Sequence, residues 1–151
     1  AAGLSKIFPR SRLFSRYNLT YLDENATSEV EAVNGAFMMT AREAVRDVGM
    51  LDPDYFMYME DLDWCYRFRR RGWKIFYFPE TRVVHLKGRS GNSHSARMIR
   101  EFFRSMELFC RKNYFSARTP LRNELTCLGI NAWFLATMAR NSLRSEKRVR
   151  P

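Results

Sequence analysis

The sequence predicts an α/β domain over residues 1–115, followed by an amphipathic helical segment with a basic tail over 116–151. Three observations carry that expectation. Short runs rich in apolar and aromatic residues, "VEAVNGAFMM" and "WKIFYFP", alternate with stretches of helical period. Glycines stand where helices should stop, at Gly49 and Gly72. From Ile99 onward, apolar residues recur at spacings of three and four. With 151 residues, 46% of them hydrophobic and 15% aromatic, the chain can bury one core but not two comfortable ones.

The elements follow in order. Residues 1–33 are basic first and acidic afterwards, and "DENATSE" reads as an exposed loop. A buried strand is expected from Val30 through "VEAVNGAFMM". Thr40 and Glu43 have the spacing of a capping box, which places a short helix over "AREAVRDV" with Gly49 ending it. "MLDPDYF" is a turn in which Pro53 removes a backbone donor. A helix starts at Glu60 and stops at Gly72. "WKIFYFP" is a strand closed by Pro79, "RVVHL" a second short one, and "KGRSGNSHS" a loop. A long helix carries Ile99, Phe102, Phe103, Met106 and Cys110 on one face. The last helical segment, "LRNELTCLGINAWFLATMARNSLR", precedes the tail "SEKRVRP". There is no internal repeat.

Composition narrows the function. Twenty-six Lys+Arg against 16 Asp+Glu give a net charge of +10, which favours an anionic partner: nucleic acid, an acidic membrane face or a phosphate-bearing substrate. Nucleic acid is the weakest of these, because the aromatics fall in core patterns and no nucleic-acid motif is present. The 3 cysteines are an odd number without close spacing, so neither a disulfide framework nor a zinc knuckle is indicated, and a reducing compartment is the simpler setting. The first residues lack a starting Met and an apolar stretch long enough for a signal peptide, so the chain is expected to be a piece of a longer protein. In the last helix, the apolar core from Cys127 to Ala139 is shorter than the roughly 20 residues a bilayer span needs. It either lies in a membrane interface, with Trp133 and Phe134 buried, or packs on its own protein.

The chemistry-bearing stretch is "YFMYMEDLDWCYRFRRRGW", where Glu60, Asp61 and Asp63 fall within four residues. Acids in a first helical turn ordinarily serve the helix dipole, at about 0.3–1 kcal/mol each. Two features point further. The run before them is too apolar for a surface loop, so these carboxylates start a helix at the edge of buried structure, where a general base can be poised. His85 closes a predicted strand just ahead of a glycine-bearing loop, although a half-buried structural imidazole is the commoner case for such a residue.

The order of these elements resembles the C-terminal half of the catalytic domain of glycosyltransferase family 2, in particular its rhamnosyltransferase-like members. The resemblance covers about Phe8 to Tyr114. It rests on the Asn34-Gly35-Ala36 strand with its short helix, on "GMLDPDYFMYMEDLD", on the "RRGW" helix end and on "PETRVVH". It implies a GT-A fold and inverting transfer of a sugar, within cell-surface polysaccharide synthesis, from a nucleotide-diphosphate sugar to a saccharide or lipid-linked acceptor. It further implies Asp61 as the base that deprotonates the acceptor, with Glu60 as its neighbour. Asn34, Gly35, Asp63 and Trp64 would line the substrate site, and Lys87 and Arg89 would neutralise the diphosphate. His85 would be a ligand of Mg²⁺ or Mn²⁺. No Asp-x-Asp lies upstream of Val33, and "DPD" at Asp52 to Asp54 reads as a turn. The chain is therefore expected to carry the acceptor-side half without the nucleotide-binding half, and to be inactive alone. The expected location is cytoplasmic, at the inner face of the cell membrane, with peripheral membrane contact. The rival reading is a catalytically inactive, membrane-associated scaffold.

Overall fold

The computed structural model describes Ser11, Leu19 and residues 21–85 and 95–149. Six elements follow in order: β1 (Ser28–Glu29), α1 (Arg42–Val48), α2 (Glu60–Arg70), β2 (Phe76–Tyr77), α3 (Ala96–Asn113) and α4 (Pro120–Val149). The strands pair antiparallel, Ser28 opposite Tyr77 and Glu29 opposite Phe76. Val30 extends the pairing by one bond, its N–H donating to the Ile75 carbonyl at 2.9 Å.

The sheet is much smaller than the sequence predicts. The strand expected from Val30 lies instead at Ser28–Glu29, inside the stretch read as loop, and residues 81–85 form no strand. Residues 30–40 carry apolar side chains but turn repeatedly, because Asn34 draws the chain into a tight bend. Its Oδ1 accepts the Ala36 N–H at 2.9 Å, a local bond that competes with a strand ladder.

The helices match their signals more closely. α2 begins with Glu60, Asp61 and Asp63 and ends with Arg67, Arg69 and Arg70, so its charges complement the helix dipole at both ends. Gly72, at φ 87°, closes it: its N–H donates to the Arg69 carbonyl at 3.0 Å and that of Trp73 to the Phe68 carbonyl at 3.1 Å. This is the Schellman arrangement, which needs a left-handed residue at that position. α1 ends at Gly49 as expected, also at φ 87°. Its start differs. Ala41 is the N-cap and no side chain caps it, so the Thr40–Glu43 capping box does not form. Ser95 caps α3 by accepting the Met98 N–H, and Pro120 opens α4, where its missing donor costs nothing.

Two cores result. One lies between α3 and α4, where Ile99, Phe103 and Ile130 are buried with Phe102, Met106, Cys110, Phe134 and Met138 around them. Phe103 meets Phe134 edge-on at 5.5 Å, while Arg111 reaches Cys127 at 3.6 Å, so the two helices run antiparallel. In the other, Val30, Ala44, Cys65 and Phe68 are buried around one cavity, while Tyr55 is buried separately against Asp63. All three cysteines are free, and burial raises the thiol pKa of both Cys65 and Cys110.

Lys112, near the end of α3, ties the α3–α4 pair to the Asp52–Asp54 turn, donating to the two carboxylates at 2.5 and 2.6 Å. Burial alone would raise the Asp52 carboxyl, but hydrogen bonds from Lys112 and from the Asp54 amide hold it below its ordinary value. A carboxyl depressed in the folded state contributes stability above its unfolded value, and that contribution fades as the pH falls through the folded one. Asp52→Asn should therefore cost at most about 1 kcal/mol near neutral pH. The difference from wild type should vanish by about pH 2, as followed by urea unfolding across pH.

Candidate active site

Helix α2 brings the acidic cluster to the turn that carries Asn34 and Gly35. The Gly35 N–H donates to Asp61 Oδ2 at 2.9 Å, across 26 residues of sequence, and the Leu62 N–H donates to Asp61 Oδ1 at 2.8 Å. Each oxygen is held by one backbone donor, which fixes the carboxylate while leaving lone pairs on both oxygens for another partner. A Cβ at residue 35 would stand 3.2 Å from the Asp61 Cβ. Gly35 thus leaves room for the close approach of Asp61, and its own φ is unremarkable. Gly35→Ala should displace the carboxylate by a few tenths of an ångström. Transfer by the full-length protein should then drop about tenfold or more, with a thermal midpoint near that of wild type.

The chain enters α2 through an unusual bend. Tyr58 and Met59 both adopt left-handed backbone, at φ 68° and 64°, and this costs about 1–2 kcal/mol per non-glycine residue. Helix α3 holds the bend in place. The buried Ser105 hydroxyl donates to the Met57 carbonyl at 2.8 Å, and Phe102 meets the Tyr58 ring edge-on at 5.5 Å. Strain concentrated in the two residues before Glu60 orients the carboxylates that follow. Glu60 itself keeps Oε2 buried without a hydrogen-bond partner among the described residues, a polar atom left over for something outside this chain's own contacts.

Asp63, expected at the substrate site, lies inside the fold. It is 2% exposed and both of its oxygens are taken. Oδ1 accepts the Tyr55 hydroxyl at 3.3 Å and the Asn113 amide at 2.9 Å, and Oδ2 accepts Arg67 Nε at 2.8 Å. Asp63 anchors α2 to α3 and to the 49–55 loop, because Arg67 donates onward to the carbonyls of Val48 and Met50 at 3.1 and 2.9 Å. Burial, and after it the Asp63 carboxylate, raise the Tyr55 phenol well above its ordinary value, so it stays a donor. Trp64 braces the same junction, its indole N–H donating to the Gly49 carbonyl at 2.8 Å.

His85 is exposed and lies in a stretch without regular structure. No group of three or more His, Cys, Asp or Glu gathers into a metal site among the described residues. Lys87 and Arg89 lie outside the described residues. The residues missed in the sequence are the positioning ones: Tyr55, Arg67, Ser105 and Asn113. Of these only the i, i+4 spacing of Asp63 and Arg67 was open to sequence reasoning. A groove of about 970 Å³ opens beside the Asn34 turn, walled by Val30, Phe37, Phe68, Ile75 and Phe76, with Cys65 from the middle of α2 at its base.

The sequence pattern described as "Glycosyltransferase like family 2" matches residues 10–107. The chain belongs to glycosyltransferase-like family 2. Membership implies a GT-A, nucleotide-sugar transferase fold. Among curated proteins, the chain is 32% identical over 148 residues to the N-acetylglucosaminyl-diphospho-decaprenol L-rhamnosyltransferases of two Mycobacterium tuberculosis strains, CDC 1551/Oshkosh and ATCC 25618/H37Rv. The match covers 97% of this chain and 47% of each relative, so the chain spans about half the length of the curated relatives it matches. No solved structure matches it. The family-2 match includes the Asn34–Gly35 turn, the Glu60–Asp61 helix start, His85 and the Ser105 buttress.

Proposed function

We propose that this chain is the acceptor-side half of an inverting glycosyltransferase acting in cell-surface polysaccharide synthesis, and that Asp61 is its general base. One observation carries the reading: Asp61 is fixed from two sides by backbone N–H groups, at a strained helix entrance within the family-2 region. A base that must meet one hydroxyl in one orientation needs such fixing. Asp61 would take the proton of the acceptor hydroxyl as that oxygen attacks the anomeric carbon and the nucleotide diphosphate leaves. Glu60, with its unpartnered oxygen, would bind the acceptor or the incoming sugar. Asn34 would contact the donor sugar at the mouth of the groove, with Gly35 letting the carboxylate approach the backbone. Lys87 and Arg89 would meet the diphosphate. The nucleotide itself would be bound mainly by sequence beyond this half, and the chain alone would not transfer sugar.

Family-2 enzymes commonly use a divalent cation. The described residues offer one exposed imidazole, His85, and no three-donor cluster, so they do not by themselves fit a metal site. His85 would contribute at most one ligand to Mg²⁺ or Mn²⁺ held with the diphosphate.

The substrate reading follows the similarity to the mycobacterial enzymes, whose name specifies a rhamnosyl donor group and a diphospho-decaprenol-linked N-acetylglucosamine. We propose the same class here: a deoxyhexose or hexose passed to a lipid-linked saccharide, at the cytoplasmic face of a membrane. To test it, the full-length protein is incubated with nucleotide-activated sugars and a polyprenyl-diphosphate-linked acceptor, and the product is examined by NMR. A product whose new bond has the opposite anomeric configuration to the donor supports the reading. Retained configuration, or no transfer from any donor, contradicts it and leaves the scaffold.

A further inference from the structure

Helix α4 has two apolar faces, and among the described residues only one is packed. Ile130, Phe134 and Met138 pack on α3. On the opposite side stand Leu121, Leu125, Leu128, Leu135 and Leu143, which are 72, 59, 64, 65 and 63% exposed. Ala132 and Ala139, also exposed, fill the gaps in their three-and-four spacing. At 1.5 Å per residue the stripe runs about 33 Å along the helix. The structure also changes which aromatic residues can leave water. Phe134 and one edge of Trp133 both meet Phe103, at 5.5 and 5.3 Å, yet Trp133 remains 55% exposed.

The charges around the stripe indicate its occupant. No Asp, Glu, Lys or Arg occurs from Leu125 to Ala139, so the middle of the stripe is flanked by Gly129, Asn131 and Ala136. A leucine seam that pairs helices in water usually carries charged residues on its flanks to fix the partner, and those are missing here. The cations stand at the ends instead. Glu124 and Arg140 bound the uncharged stretch, with Arg122 just before it and Arg144, Lys147 and Arg148 after it against one acid, Glu146, in a chain of net charge +10. No described helix is long and apolar enough to cross a membrane. An apolar stripe with cationic ends on a helix that cannot span is the pattern of a helix lying in a bilayer surface.

We infer that the leucine stripe of α4 docks this protein onto the surface of an anionic bilayer. The leucines enter the boundary between headgroups and acyl chains, while the arginines at either end meet lipid phosphates. This rests on the proposed function only for its setting at a membrane, and it names the surface that makes the contact. The hairpin with α3 would then hold the rest of the protein, including the α2 entrance that α3 buttresses, in a fixed relation to lipid-borne substrate.

The test is co-sedimentation of the full-length protein with phosphatidylcholine vesicles, with and without phosphatidylglycerol. It is repeated with the triple variant Leu125→Gln/Leu128→Gln/Leu135→Gln and with single Leu128→Gln. These side chains are solvent-exposed, so helix content and thermal midpoint should not change, and the single variant serves should the triple one fail to fold. Wild type should bind the anionic vesicles, and the triple variant about a hundredfold more weakly. Binding by the leucine variants equal to wild type would mean that charge alone holds the protein, and overturns the inference. So would failure of wild type to bind, as happens if another segment of the full-length protein covers the stripe. A lipid-free dimer of wild type that the triple variant dissolves would assign the stripe to a second copy and overturn it equally. The assay reads no sugar transfer. Vesicle binding without transfer therefore leaves the surface standing and counts only against the proposed activity.

Discussion

Asp63→Asn should lower the stability of the fold by about 3 kcal/mol, with a drop in thermal midpoint of about 10 °C. The reason is the balance of donors around it. Arg67, Tyr55 and Asn113 all donate to this one carboxylate, which is 2% exposed. An amide in its place keeps one acceptor oxygen and presents N–H groups to donors. The Arg67 guanidinium loses its counter-charge where water reaches it only partly. Because Arg67 also holds the Val48 and Met50 carbonyls, the damage extends to the junction of α1 and α2. Arg67→Gln alone should cost less, since part of its side chain is exposed. The double variant should cost less than the sum of the two, because the residues act through one interaction. Chemical denaturation of all three proteins gives this directly. A loss below about 1 kcal/mol for Asp63→Asn would mean that the buried network contributes little.

The Asp63 network also shows where sequence reading stops. The helix α2, its acidic first turn and its glycine stop are local, and local chemistry announced them. Of the three acids in the cluster, Asp63 is the one that the fold buries and bonds through both oxygens. Nothing within a few residues of Asp63 says that Asn113 will meet it from α3, 50 residues away. The strands failed for a related reason. "WKIFYFP" has the composition of a buried strand, yet among the described residues β2 finds only the two residues of β1 to pair with. Side chains chosen for a sheet interior, such as Phe76 and Phe78, are instead about half exposed. Composition reports what a segment prefers, and a ladder also needs neighbours. The long helix α4 was legible from its period. Its division into a face packed on α3 and an exposed face was not, since Leu128 and Ile130 are equally apolar in the sequence and differ only in what lies opposite.

The largest functional effect is expected at Asp61. Asparagine is nearly isosteric with aspartate and can still accept the Gly35 N–H through its carbonyl, so the turn and the helix start should persist. What it cannot do is accept a proton from an acceptor hydroxyl. General-base catalysis contributes about a hundredfold to ten-thousandfold, and a fall in kcat of about a thousandfold is the expected result for Asp61→Asn. Glu60→Gln should behave differently. If Glu60 binds substrate and takes no proton, its change should act more on KM than on kcat, by about tenfold.

One measurement tests the central claim most directly: kcat for sugar transfer by the full-length protein with Asp61→Asn, alongside its thermal midpoint. The account predicts a loss of about a thousandfold in kcat with the midpoint unchanged. Transfer within a few-fold of wild type by a correctly folded Asp61→Asn protein would contradict it, and would remove the base from this helix.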